Sequence, residues 1–273
     1  MLRIGNLPLP IGGDLEQLRR QAARALGVRP GALGEMEIVR QSIDARKRSN
    51  VHYVYTVEVS LPGERAVMGA APGRGITLVE RVPYSFPAVR RRSPCSPVVV
   101  GMGPAGLFAA LFLARNGLPC VILERGQDID RRTLDVGDFW ATGVLDEGSN
   151  VQFGEGGAGA FSDGKLTTGT HDRRISAVLD ALVEAGAPAD VKYSHKPHIG
   201  TDVLREVVRT IRKELVSLGC DVRFGHKLAG LINASNTLFV EDNPYGDLRF
   251  AGTHIPAIKT MDTEGIVCYC GAF

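Results

Sequence analysis

Cysteine is scarce and odd in number: Cys95, Cys120, Cys220, Cys268 and Cys270 are the only five, and most stand alone. That excludes a disulfide framework and makes a reducing cytoplasm the expected setting. Cys120 and Cys220 adjoin apolar, strand-like residues and read as small buried hydrophobes. Cys268 and Cys270 miss the C-x-x-C spacing and have no second cysteine or histidine pair nearby, so no metal site is read. Long apolar runs are also missing. No segment approaches the ~20 residues of a membrane span, and the opening MLRIGNLPLPIGGDLEQ lacks a basic stretch followed by an apolar one, so no membrane partner is expected. A serine nucleophile elbow, a Walker loop and metal-ligand spacings are absent as well.

What the chain does have is size and an uneven charge. Its 273 residues, 44% of them apolar, can bury a full core and leave room for roughly two domains. The net charge of +2 hides a split. Residues 1–97 carry 15 Lys and Arg against 8 Asp and Glu, so they stand at +7 and the remainder at −5. The seam is AVRRRSPCSP, residues 88–97, where arginines and prolines separate a polar region from an apolar strand. The expected division is 1–92 as a basic α+β domain, 93–232 as a dinucleotide-binding domain and 233–273 as a divergent tail.

Within the first segment, Met1–Ile4 reads as a short strand and DLEQLRRQAARALGV as an amphipathic helix, with Asp14 as N-cap and Gly27 near its end. MEIVRQSID and VHYVYTVEVS read as strands around the basic stretch 45–50, with a last strand near Gly75–Arg81. The pattern is close to a ferredoxin-like fold, except that no convincing second helix is read. Arg40, Arg46, Lys47 and Arg48 offer either a phosphate or nucleic-acid contact surface or simply a solvated hairpin loop.

The strongest signal is VVVGMGPAGLFAALFLARNGLPCVILERG, residues 98–126. Val98–Val100 is a β-branched strand, Gly101, Gly103 and Gly106 form a G-x-G-x-x-G turn, and an apolar helix runs from about Pro104 to Asn116. Gly101 permits the tight turn, Gly103 lets backbone approach a pyrophosphate, and Gly106 lets helix pack on strand. The helix N-terminus supplies N–H groups and partial positive charge to phosphates. Cys120–Leu123 forms the next strand, and Glu124, 23 positions after Gly101, can accept hydrogen bonds from ribose hydroxyls. The unit is a Rossmann-type site for an adenine dinucleotide.

A second glycine-dense segment, GSNVQFGEGGAGAFSDGKLTTG, spans 148–169. Gly154, Gly156, Gly157, Gly159 and Gly164 allow unusual backbone and close ligand approach, while Ser162, Asp163 and Lys165 add polar groups. RRISAVLDALVEAGAP and TDVLREVVRTIRKELVSLGC read as helices, the second capped by Thr201 or Asp202, and DVRFGHKLAGLI reads as a strand. This alternation predicts an α/β fold with a parallel sheet.

Taken together, the 98–126 unit with its Glu124-Arg125-Gly126 end, GEGGAGAFSDGKL, KPHIGTDVLREVVRTIR and the basic RQSIDARKR resemble the bacterial FAD-dependent, NAD(FAD)-utilising dehydrogenases over roughly residues 2–232. The resemblance implies FAD as cofactor, held by Gly101, Gly103, Pro104, Ala105, Gly106, Glu124, Arg125, Gly156, Gly157, Gly159 and Ser162. It implies a flavoprotein oxidoreductase that passes a hydride between a small-molecule redox substrate and the flavin, with NAD(P)H as electron donor. Lys165 is the candidate to stabilise charge on reduced flavin and His198, near His195, the candidate acid or base. After about Asn233 the sequence matches nothing expected of the family and shows no apolar period. The parallel sheet is therefore expected to be incomplete there, as in a shortened or frame-altered member. Two other functions stay open: a non-catalytic dinucleotide-binding module, and a flavoprotein associated with nucleic acid through its basic first domain.

Overall fold

A computed structural model describes residues 1–70, 75–80, 84–86, 95–162, 164–166, 172–228, 239–243, 257–263, 265 and 267–271. Two compact units emerge. One comprises Met1–Tyr84 with Leu166–Asp180 and Pro188–Pro197, the other Ser85–Lys165, Ala181–Ala187 and His198–Phe273. The units thus interleave, whereas the sequence reading drew contiguous segments. Asp163, Arg81 and the arginines of the 88–97 seam lie outside the described residues.

The first unit is built on β1 (Leu2–Pro10), α1 (Leu15–Leu26), β2 (Met36–Asp44), β3 (His52–Val59), α2 (Glu64–Ala70) and β4 (Ile76–Leu78). Its antiparallel sheet has the order β2-β3-β1-β4, the ferredoxin-like arrangement. The missing second helix is α2, too short at seven residues to show a period. α1 begins where the Asp14 side chain accepts from Gln17 N at 2.7 Å and ends at Gly27, whose φ of 70° is open to glycine. Its Leu18, Ala22 and Leu26 are buried in one cluster with Leu2, Ile4, Leu7, Leu9, Val57 and Val59. A bulge in β1 between Ile4 and Leu7 shifts the alternation, so Ile4 and Leu7 both reach that core. At the free edge of β2, Gln41 N donates to Tyr193 O at 2.8 Å.

The second unit carries β5 (Val98–Val100), α3 (Pro104–Arg115), β6 (Val121–Leu123), α4 (Ile129–Thr142), α6 (Thr201–Ser217), β7 (Asp221–Arg223), β8 (Phe239–Asn243) and β9 (Val267–Gly271); α5 (Arg174–Glu184) belongs partly to each unit. All sheet pairs are parallel, in the order β7-β6-β5-β8-β9. Numbered within the sheet this is 3-2-1-4-5, the doubly wound order, and its direction reverses between β5 and β8.

Three expectations are corrected here. The sequence after residue 232, expected to leave the parallel sheet incomplete, supplies two of its five strands. β8 sits directly against β5, with Val99 opposite Val240. Its order comes from parallel neighbours distant in sequence, which a local pattern cannot show. α6 is capped by Gly200 with no side-chain bond, so neither Thr201 nor Asp202 is its cap. Of the strand expected over DVRFGHKLAGLI, Asp221–Arg223 is strand and a turn follows at Gly225, φ 68°, while residues 229–232 lie outside the described residues. Among the described residues no helix is long and apolar enough to cross a membrane.

Candidate functional site

The glycine turn leaves β5 at the point where strand order reverses, where open α/β sheets bind ligands. Gly101 has φ 93°, a conformation costly for any side-chain-bearing residue, and its N–H donates to Leu123 O at 2.8 Å. At Gly106 a Cβ would overlap the Gly101 carbonyl oxygen, so α3 can lie this close to the turn only without one. Gly103 is the N-cap in extended backbone, which any residue adopts. In turns of this kind the second glycine lets a phosphate come close to the backbone. Pro104, at N1, gives up an N–H that the helix does not use, and both Pro104 and Ala105 are exposed. The first turn of α3 therefore presents its positive end to solvent.

Glu124 sits at the end of β6, 2% exposed. Its Oε2 accepts from Met102 N at 2.6 Å and its Oε1 from Gly126 N at 2.7 Å, which ties the glycine turn to the next strand. Each oxygen keeps a further lone pair, as acceptance from two ribose hydroxyls requires. Arg125 turns away over the Phe153 ring, 3.8 Å from its centroid.

The second glycine segment packs onto this turn. Gly156 N donates to Met102 O at 2.8 Å, and a Cβ on Gly157 would stand 3.0 Å from Pro104 Cδ and 3.3 Å from Gly103 Cα. Gly157, with φ 64°, thus walls the glycine turn at Gly103 and Pro104. Gly156 has a different job: its missing Cβ makes room for Val208 of α6, 3.2 Å away. Gly159 faces open space, and the exposed Ser162 donates through Oγ to Gly159 O at 3.3 Å.

Lys165 and His198, far apart in sequence, are brought together as partners in an antiparallel bridge. Ile199 N donates to Gly164 O at 3.0 Å beside them. Both side chains are exposed, as is that of His195. In the first unit, Arg40, Arg46, Lys47 and Arg48 are exposed, and Arg46 is committed to Asp44, whose carboxyl its hydrogen bonds hold well below the usual range.

Sequence reasoning missed the residue that organises the site. Arg132 of α4 is fully buried, and its guanidinium donates to Asn150 O at 3.1 Å, Glu155 O at 2.5 Å and Gly157 O at 3.1 Å. It also lies over the Phe161 ring at 4.7 Å. One planar cation thereby gathers the carbonyls of the glycine segment and presses Gly157 onto Gly103. Burial pushes its pKa down to about 10, with Glu124 and Glu155 opposing the shift. Glu155 is equally buried; its Oε2 accepts from Ile129 N at 2.7 Å and Oε1 lies 3.1 Å from Arg212 Nε. Burial raises its carboxyl to about 7 against those two stabilising partners. The signal was present: Ile129, Arg132 and Val136 share one helical face, and an arginine in an apolar phase needs buried partners. Among the described residues, Ser149 Oγ is buried without a hydrogen-bond partner.

Residues 95–238 match the family described as FAD binding domain, and residues 1–60 match a domain of unknown function, DUF8436. An uncharacterized protein of Clostridium beijerinckii is 45% identical over 228 residues, 83% of this chain and 43% of that protein. The chain therefore spans less than half of that relative's length. An aromatic-amino-acid aminotransferase of Thermococcus litoralis is 45% identical over only 47 residues, 17% of this chain and 11% of its own.

Proposed function

The chain belongs to the FAD-binding domain family, and from that premise we propose that it is an FAD-dependent oxidoreductase of the NAD(FAD)-utilising dehydrogenase type, working in the cytoplasm. The carrying observation is the joint at Gly103: the open helix N-terminus, the buried Glu124 carboxylate and the Gly157 wall converge on one turn. These groups fit FAD. The pyrophosphate goes to the N–H groups opening α3, and the adenosine ribose donates to Glu124. A phosphate on that ribose would meet the Glu124 charge. Gly101, Gly106 and Arg132 shape the turn, and Gly156 seats the second segment on α6. Gly159 and Ser162 continue past the wall toward the exposed Lys165 and His198 pair.

When bound, FAD supplies hydride acceptance and donation, with NAD(P)H as the donor to be tested against a small-molecule acceptor. Lys165 would stabilise negative charge and His198 hold or release a proton near neutral pH. A second reading, a module that binds the dinucleotide without turning it over, is favoured by the exposure of both these side chains. Reacting groups open to water lose the low-dielectric surroundings that make electrostatic catalysis effective.

The test is the absorption spectrum of the purified chain, followed by acid release and identification of the nucleotide. Flavin bands and FAD at about one per chain are expected. Release of FMN or NAD, or a chain that takes up no flavin when supplied with it, would overturn the assignment.

A further inference from the structure

Cys120 immediately precedes β6 and Cys220 immediately precedes β7, and the residues that follow them, Val121 and Asp221, are register partners. Asp221 N donates to Cys120 O at 3.0 Å, so the two cysteines stand side by side on hydrogen-bonded parallel strands. Neighbouring strands lie about 4.7–4.9 Å apart, inside the Cα separation a disulfide spans. The sulfurs are already in contact at 3.6 Å, and both residues are buried, 1% and 6% exposed. Cys120 lies at the opposite end of β6 from Glu124.

We propose that Cys120 and Cys220 form an oxidisable dithiol that hydrogen peroxide closes into a disulfide stapling β6 to β7. The pair is set up as one nucleophile and one proton donor. The hydrogen bond between the two thiols, together with the Cys120 N–H that donates to Cys220 Sγ at 3.4 Å, holds the Cys220 thiol below the usual range. The same hydrogen bond pushes the Cys120 thiol up. In the first step the Cys220 thiolate attacks one peroxide oxygen and the O–O bond breaks, giving the Cys220 sulfenic acid and hydroxide. That hydroxide takes the proton the Cys220 thiol had released and becomes the first water; in the second step, Cys120 sulfur attacks the sulfenic sulfur and the S–O bond breaks, the sulfenic hydroxyl leaving with the Cys120 thiol proton as the second water. Two thiols and one peroxide thus yield one disulfide and two waters. The staple joins positions 100 residues apart, where closing the chain removes much unfolded-state freedom.

The experiment compares the full chain kept in dithiothreitol with the chain exposed to hydrogen peroxide, by peptide mapping and thermal melting. A peptide pair joined through Cys120 and Cys220, lighter by two hydrogen atoms and separated again by dithiothreitol, is expected. A rise in Tm on the order of 5–15 °C should accompany it and vanish in Cys120→Ala and Cys220→Ala. If either variant fails to fold, mapping of the wild-type chain decides alone. Cys120 and Cys220 both remaining alkylatable after denaturation, under peroxide that oxidises the exposed Cys95 and Cys268, would overturn the proposal. So would Cys220 recovered only as the sulfinic acid, or joined to a different cysteine.

Discussion

Replacing Arg132 with methionine removes the cation that gathers the glycine segment while roughly keeping its volume. The wild-type guanidinium satisfies the carbonyls of Asn150, Glu155 and Gly157, and the surrounding residues exclude water. Each buried carbonyl left without a donor costs about 1–3 kcal/mol. Removing a buried cation also relieves its own desolvation, the effect behind the fall of its pKa to about 10. The opposing contributions leave a net loss of about 3–5 kcal/mol, the range seen when one partner of a buried charged network is deleted. That is a large part of the ~5–15 kcal/mol stability of a typical domain. Urea unfolding of wild type and Arg132→Met would read it as a lower midpoint with an unchanged slope. Arg132→Lys keeps the charge but has three donors on a flexible stem, and should fall between the two. Both variants should also bind FAD more weakly, because Gly157 is no longer pressed against Gly103. A loss under about 1 kcal/mol in Arg132→Met would refute the reasoning, since three orphaned carbonyls could not be so cheap.

Three further outcomes are expected. Because burial lifts the Glu155 carboxyl from 4.5 to about 7, the folded chain holds a proton that the unfolded chain releases over that interval; stability should fall as pH rises from about 4.5 to 7, by an amount on the order of 3 kcal/mol. Glu155→Gln should flatten that fall in urea midpoints across the window, and an unchanged slope would count against it. A fragment of residues 1–84 should unfold cooperatively alone, since the buried cluster of its βαββαβ sheet and helices is drawn entirely from residues between Leu2 and Leu61; a featureless urea profile by circular dichroism would show otherwise. Supplied with FAD, NADH or NADPH and artificial acceptors, the chain should turn over more slowly than about 1 per second, the low end of ordinary enzymes, because Lys165 and His198 are open to solvent; faster turnover would remove the non-catalytic reading.

The parts legible in the sequence were those whose cause is local. Val98–Val100, the three glycines, Pro104 and Glu124 announce themselves by spacing, and Asp14 and Gly27 bracket α1 by their own chemistry. The parts that escaped depend on distant partners. FVEDN becomes β8 because β5 and β9 flank it, although Glu241 and Asp242 break any apolar run; Glu241 is buried and accepts from Ile258 N and Lys259 N. α2 is too short for a period, with Gly69 inside it. Arg132 looks like any helical arginine until its three carbonyl partners, up to 25 residues away, are in place. Gly156 and Gly157 read alike in the sequence as cofactor-binding glycines, and their neighbours differ: one makes room for α6 and the other borders Gly103. Adjacent glycines differ in purpose when each is set by a different neighbour.

The central claim is that the turn at Gly103 is an FAD pyrophosphate site. Titrating apo-protein, wild type and Gly103→Val, with FAD and with FMN tests it most directly, circular dichroism confirming that both proteins are folded. Wild type should bind FAD and discriminate against FMN, which lacks the adenosine that Glu124 would hold, and Gly103→Val should lose FAD affinity at least tenfold, a loss of about 1.4 kcal/mol or more. Equal FAD affinity in the two folded proteins, or FMN bound as tightly as FAD, would contradict the account.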